Sequence, residues 1–411
     1  MRSFIFPCVG VAILLASCGG GGSGDSGSGL RQLAVTTAIP GVGTGTNFGF
    51  DLGTVVGNRY YFTDRNNAAV DVFDTATSAF VAQIKGTGSN AFAGLGLNSK
   101  GGVDNSISGP DGINAVGNLL YVGDVNSVKI VDPATLQVIK TVVVGSSGKR
   151  ADEGCVDSVH GLYMISTPEA DTPFATFINT TTQAVVAQVT FTDPSGAPSA
   201  GLEECRYDPA SDTFYVNNDG TTANPNGELN AIPGASIRGI APGATVNYTS
   251  LSGARGFTVG NCDPTGLALG PGNDIAVNCR EGTTGAPLLV QILDRTNGAI
   301  LASINAGGGD QLEYDPATNR YYSGASRWTA SGKAGTNGAC SATSPCTPVL
   351  AVIDAATRKL VAQLPTGNNS HSVAVDPVTF KAFVPTSSGT SPGGCATCGA
   401  EPAELITFST K

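Results

Sequence analysis

Histidine and tryptophan are nearly missing from these 411 residues: there are two His, one Trp and only two Met. So few histidines exclude a His-rich metal centre, and neither an HExxH pattern nor a nucleophile elbow in its strand-to-helix setting is present. Charge is scarce as well, at 13% of residues, and tilted to acid, with 32 Asp and Glu against 22 Lys and Arg and a net charge of −10. A chain of that sign does not attract nucleic acid or an anionic lipid surface, whereas cations and small polar or cationic molecules are easier partners. Long amphipathic helical patterns are missing, and no long apolar run follows Leu15. What is plentiful is Gly, at 56 residues, together with Val, Thr and Ala, a composition suited to short strands separated by turns.

The chain opens Met1-Arg2-Ser3, continues through apolar Phe4 to Leu15, and reaches Leu15-Ala16-Ser17-Cys18. That is the layout of an export signal, and the run is well short of the ~20 apolar residues that span a bilayer. Leu15-Ala16-Ser17-Cys18 resembles the lipobox of bacterial lipoproteins. The resemblance implies cleavage before Cys18, lipid on its thiol and, with Gly19 rather than Asp next, sorting to the outer membrane. An ordinary cleaved signal with a chance cysteine is the alternative. Gly19 to Gly29 is almost entirely Gly and Ser, so it can bury nothing and reads as a flexible tether. The expected organisation is residues 1–17 as signal peptide, 18–29 as tether and 30–411 as a monomeric head, held to the cell envelope only through its lipid.

Of ten cysteines, Cys8 leaves with the signal and Cys18 takes the lipid. The remaining eight lie in an oxidising compartment, where disulfides are the default. Cys340 with Cys346 and Cys395 with Cys398 are natural local pairs. Cys395-Ala396-Thr397-Cys398 lacks the following His of haem attachment and any βαβ context of redox proteins, so neither haem nor nucleotide is expected.

A head of about 380 residues exceeds the usual single core, so it is either two domains or an assembly of repeats. Self-alignment reveals a unit of about fifty to sixty residues built of short alternating strands. Its clearest copy contains Asn118-Leu119-Leu120-Tyr121-Val122-Gly123-Asp124, Ser127-Val128-Lys129-Ile130-Val131-Asp132-Pro133-Ala134-Thr135 and Val138-Ile139-Lys140-Thr141-Val142-Val143-Val144-Gly145. Asp74, Asp132, Asn179, Asp294 and Asp354 each end a strand, with Thr or Asn three residues on, so the side-chain oxygen can cap a tight turn. A second turn class, from Gly57-Asn58 to Asp376-Pro377-Val378-Thr379, occurs seven times, each time before an apolar or aromatic strand. These segments resemble the YVTN repeats of β-propellers. The resemblance implies an all-β, seven-bladed propeller. The last unit, ending Leu405-Ile406-Thr407-Phe408-Ser409, lacks a fourth strand, and Leu33 to Ile39 is a lone strand of that character. Joining the two closes the ring and removes an open edge.

In such a blade, turns between strands one and two and between strands three and four share one face, and here they read as uniformly short. The opposite connections are long and variable: Lys85 to Pro110, Asp219 to Gly227, Arg280 to Ala286, Gly324 to Cys346 and Ser387 to Glu401. Long loops gathered on one face mark it as the working face. Aligning the units by their first hairpins places Asp51, Asp111, Glu153, Glu203, Thr265, Asp310 and His371 equivalently at the mouth of the central funnel, with Glu204 and Asp263 close by. Carboxylates converging there repel unless neutralised, and a bound cation is the simplest neutraliser. Oxygen ligands without a Cys/His cluster favour calcium. A solvated acidic rim is the alternative. Cys155 and Cys205, beside Glu153 and Glu204, are placed to join two blades, and Cys262 with Cys279 to flank one hairpin; free buried thiols are the alternative for each pair.

Two functional readings follow. One is an envelope-anchored binding module, for an unknown protein or a small polar ligand, with its site at Asp51, Asp111, Glu153, Glu203, Asp263 and Asp310. The other is a propeller lactonase or related hydrolase. Propeller lactonases hold calcium by funnel carboxylates or use Glu, Arg and His without metal, and Glu203 or Glu204 with Arg206 and His371 would supply the second set. A quinoprotein-like redox site is disfavoured, because such sites stack a Trp and Trp328 falls in a long loop.

Overall fold

The computed structural model describes residues 35–280, 285–335, 345–388, 395 and 402–411. Seven small sheets form a ring, each built on four antiparallel strands, in chain order except in blade seven. Blade one comprises Phe50–Val56, Arg59–Asp64, Ala69–Asp74 and Phe80–Ile84, and blade two Ile113–Val116, Leu119–Asp124, Ser127–Asp132 and Gln137–Val143. Blade three comprises Gly154–Asp157, Leu162–Thr167, Phe174–Asn179 and Ala184–Thr190, and blade four Leu202–Asp208, Thr213–Asn218, Glu228–Pro233 and Arg255–Thr258. Blade five is Pro264–Leu269, Asp274–Cys279, Leu289–Asp294 and Ile300–Asn305; blade six is Leu312–Asp315, Arg320–Ala325, Val349–Asp354 and Lys359–Pro365. Blade seven takes Ala374–Asp376, Lys381–Thr386 and Glu404–Ser409 from the C-terminal end and Val35–Ala38 from the other end of the chain. The closing strand runs antiparallel to Glu404–Ser409, with Val35 opposite Thr407 and Ala38 opposite Glu404. The strand exchange expected from the incomplete last repeat is therefore present.

The hydrophobic pattern follows from the stacking. Each blade is covered by a neighbour on both faces, so its middle strands read as near-continuous apolar runs, such as Leu119–Asp124 and Leu162–Thr167. The core is divided accordingly, with one cluster at each blade interface. Tyr121 and Ile130 of blade two meet Tyr163 and Ile165 of blade three, and Phe62 and Phe73 of blade one meet Phe383 and Leu405 of blade seven. The anticipated turn caps form: Asp74 Oδ1 accepts from the Thr77 N–H at 2.9 Å, Asn179 Oδ1 from Thr182 at 2.8 Å and Asp354 Oδ1 from Thr357 at 2.7 Å.

One connection departs from the sequence reading. The link between the third and fourth strands of blade four is not short but runs from Gly234 to Ala254, with a helix at Gly234–Arg238 and a strand at Ala244–Asn247. That strand pairs in parallel with Ala184–Thr190, giving blade three a fifth strand. The cause lies in its apolar residues, since Ile237, Ile240, Val246 and Tyr248 pack onto the core between blades three and four. They cover an outer strand whose counterparts in other blades stay open, as exposed Phe80, Ile300 and Leu360 show.

Two disulfides match the expected pairs. Cys155 is bonded to Cys205, linking the first strands of blades three and four, and Cys262 to Cys279 within blade five. Cys346 and Cys395 are also disulfide-bonded, while the expected partners Cys340 and Cys398 lie outside the described residues, as do Cys18, the signal and the tether.

Candidate funnel site

The first strands line the central channel, and their leading ends open on the long-loop face. There a cavity of about 280 Å³ is lined by Asp51, Glu153, Glu203, Asp310 and His371, together with Asp152 and four arginines: Arg65, Arg150, Arg280 and Arg327. Four of the expected acids thus share one cavity, and Asp111 is buried behind it beside Arg65. Thr265 is buried too, donating to the backbone oxygens of Asn278 and Gly309 at 3.2 and 3.0 Å. Asp263 lies farther out, paired with Arg280 at 3.2 Å.

The arginines were not singled out in the sequence, and they change the charge balance. Arg65 Nη2 contacts Asp51 Oδ2 at 2.8 Å, and its Nε donates to Asp111 Oδ1 at 2.9 Å. Arg150 Nη2 meets Asp152 Oδ2 at 2.7 Å and Glu169 Oε1 at 2.9 Å. Asp51 and Asp111 therefore each have a guanidinium counter-charge, although Asp111 Oδ2 and Asp152 Oδ1 stay buried without a hydrogen-bond partner. Burial alone would raise the Asp51 carboxyl, but Arg65, His371 and Arg150 together hold it far below the usual carboxylate range. At Asp111 burial prevails over Arg65 and Arg150, and the carboxyl is pushed up to about 7.

Arg65 and Arg280 each follow directly on a second strand, and Arg327 follows two residues after one. Their backbone N–H groups donate to Gly49, Asp263 and Gly308 at 2.9, 2.9 and 2.7 Å. Each acceptor stands two residues before a position of the first ring: Asp51, Thr265 or Asp310. Asp219 repeats the arrangement in blade four, donating to Gly201, two residues before Glu203. Aligning the repeats on the ends of their second strands, rather than on their first hairpins, is the signal that brings this outer ring out.

The other flank of the cavity is differently supplied. Glu153, Glu203 and Asp310 offer carboxylate oxygens that all lie within 4.8 Å of one another. Arg280 Nη1 reaches Glu203 Oε1 at 3.4 Å, but Glu153 Oε2 and Asp310 Oδ1 are buried without a hydrogen-bond partner. Glu153 is only 3% exposed. Burial first, then mutual repulsion with neighbouring acids, pushes Glu153 and Glu203 well above the normal range. His371 stands where the two flanks meet. Its Nδ1 lies 2.7 Å from the Asn369 carbonyl, which can only accept, so Nδ1 is the donor there, and Nε2 faces Asp51 Oδ1 at 3.7 Å. The ring stacks on Phe50 at 4.5 Å.

Glu204 and Arg206 are not part of this cavity. Farther along the same first strands is a second space of about 210 Å³, lined by Gly53, Cys155, Glu204, Arg206, Gln311 and Glu313. Glu204 Oε2 accepts from the Leu267 N–H at 2.6 Å, and its Oε1 pairs with Arg206 at 2.5 Å. Arg206 also meets Glu313 at 3.2 Å. The Glu, Arg and His proposed for a metal-free hydrolase are thus divided between two levels of the channel, His371 and Glu203 at the mouth and Glu204 and Arg206 below.

No protein-family model and no curated protein matches the chain. Solved structures do. A chain titled Kuenenia stuttgartiensis hydrazine synthase superposes with a TM-score of 0.60 at 16% identity, covering 85% of this chain and 96% of its own. A chain from a crystal structure of the mitotic checkpoint complex superposes at 0.57 with 10% identity, covering 97% and 98% respectively. At such identities the likeness shows the propeller fold alone.

Proposed function

We propose that this protein is an envelope-anchored binding propeller of the YVTN type that captures a small polar ligand through a calcium ion held by Glu153, Glu203 and Asp310. The anchoring rests on the lipobox-like Leu15-Ala16-Ser17-Cys18 and the Gly/Ser tether. The observation that carries the site is the pair of buried, unpartnered oxygens, Glu153 Oε2 and Asp310 Oδ1, in a trio whose nearest guanidinium is 3.4 Å from Glu203 alone. An orphaned buried carboxylate oxygen costs on the order of 1–3 kcal/mol or more, which a cation removes. Three carboxylates supply hard oxygen donors, and calcium takes 6–8 ligands in flexible geometry, so water and ligand complete the shell. Dividing His371 from Arg206 favours binding over metal-free hydrolysis. The test is thermal unfolding of the full-length protein with calcium or with EDTA. Calcium raises the midpoint by mass action in this reading, and an unchanged midpoint with no calcium heat rejects it.

A further inference from the structure

We propose that the ligand is a small organic carboxylate whose carboxylate group bridges the cation at Glu153, Glu203 and Asp310 and the guanidinium groups of Arg280 and Arg327. This rests on the cation site above and adds the chemistry of what the cation holds.

The four cavity arginines are not equivalent. Arg65 and Arg150 have ion pairs of 2.7–2.9 Å and side chains 5% and 15% exposed. Arg280 is 29% exposed, and its contacts with Glu203 and Asp263 are 3.4 and 3.2 Å, longer than committed charge-assisted bonds. Arg280 and Arg327 come from adjacent blades, and the backbone sews them onto one flank. Arg327 N–H donates to Gly308 O at 2.7 Å, and Gly308 N–H donates to Cys279 O, next to Arg280, at 2.9 Å. Both guanidinium groups line the same cavity, and positive charge on that wall suits an anionic ligand beside the cation. Calcium at Glu203 would take over the oxygen that Arg280 Nη1 now reaches, turning that donor towards the ligand.

The planar guanidinium fork matches a carboxylate. The remaining wall includes Phe50, Leu95 and Val103, which suit an organic body better than a bare inorganic ion. A cavity of about 280 Å³ is small for a ligand site, which selects an acid of a few carbons over a peptide or glycan.

The experiment is calorimetric titration of succinate into the full-length protein, with saturating calcium or with EDTA. Succinate should bind the calcium form and bind at least about tenfold more weakly in EDTA, because the two ligands share one coupling free energy. Arg327→Gln and, separately, Arg280→Gln should each weaken succinate at least about tenfold in the presence of calcium, reflecting loss of a charged donor. Calcium should bind Arg327→Gln as tightly as the parent or more tightly, since a nearby positive charge is gone; that result also shows the variant is folded. Calcium binding without succinate heat overturns this inference and leaves the cation site standing. Unchanged succinate affinity in both variants, or tighter binding of methylphosphonate than of succinate, also overturns it. Absence of calcium binding removes the cation site and the bridge with it.

Discussion

The channel holds two clusters of Glu and Arg a few residues apart on the same strands, and they are finished to different degrees. At the lower level each oxygen of Glu204 has a partner, the Leu267 N–H or Arg206, and Glu313 takes the other side of that guanidinium. Gln311 closes the level, donating to Gly53 O at 2.9 Å and accepting from the Ser372 hydroxyl at 2.7 Å. At the mouth Arg65 and Arg150 form ion pairs with Asp51, Asp111 and Asp152 on one flank, although Asp111 and Asp152 each keep one buried oxygen without a hydrogen bond. On the other flank Glu153 and Asp310 keep buried oxygens unpartnered and, among the described residues, have no ion pair with Lys or Arg. The contrast teaches that carboxylate density does not by itself mark a ligand site, because Glu204 is as acidic a neighbour as Glu203. Unfilled bonding capacity marks it. The lower cluster joins blades, whereas the mouth leaves room for something else.

Breaking the ring should erase both levels at once. Deleting residues 30–39 removes Val35–Ala38 and its pairing with Glu404–Ser409, together with buried Ile39. It should lower the thermal midpoint more than any point substitution here, and an equal midpoint would show that closure is dispensable. Next in size, Arg206→Ala strands Glu204, whose side chain is 2% exposed, without its counter-charge. Loss of one partner of a buried pair costs about 3–5 kcal/mol, read by urea unfolding, with calcium binding retained by the folded fraction. Smaller is Cys155→Ala with Cys205→Ala. That crosslink spans 50 residues and joins the strands carrying Glu153 and Glu203, so its loss should cost about 2–4 kcal/mol. Smallest and opposite in sign, Glu153→Gln with Asp310→Asn should stabilise the metal-free protein by about 1 kcal/mol, because buried like charges are removed.

The blades were legible because their signals are local. Asp74, Asp132 and Asp354 with their capping Thr announce turns wherever they occur, and the missing strand after Phe408 implied the exchange with Val35–Ala38. The first ring was legible for the same reason, being counted from short hairpins. Arg65, Arg280 and Arg327 escaped notice because they stand in connections between second and third strands. These three connections range from four residues after Asp64 to more than twenty after Ala325, so spacing to the next landmark varies from blade to blade. Without the cavity arginines every carboxylate of the ring lacks a counter-charge; with them, Glu153 and Asp310 are the ring carboxylates left without an ion pair to Lys or Arg among the described residues, and Glu203 has one at 3.4 Å. The added strand Ala244–Asn247 was hidden for a related reason. Its partner, Ala184–Thr190, belongs to another repeat, so no pattern within its own unit announces the pairing.

Calcium calorimetry on the full-length parent and on the Glu153→Gln, Asp310→Asn variant tests the central claim most directly. The account predicts one calcium site in the parent and no calcium heat in the variant, although the variant folds at least as stably without metal. An absence of calcium heat in the parent, or undiminished heat in the variant, would contradict it and leave the mouth of the funnel as a solvated acidic rim.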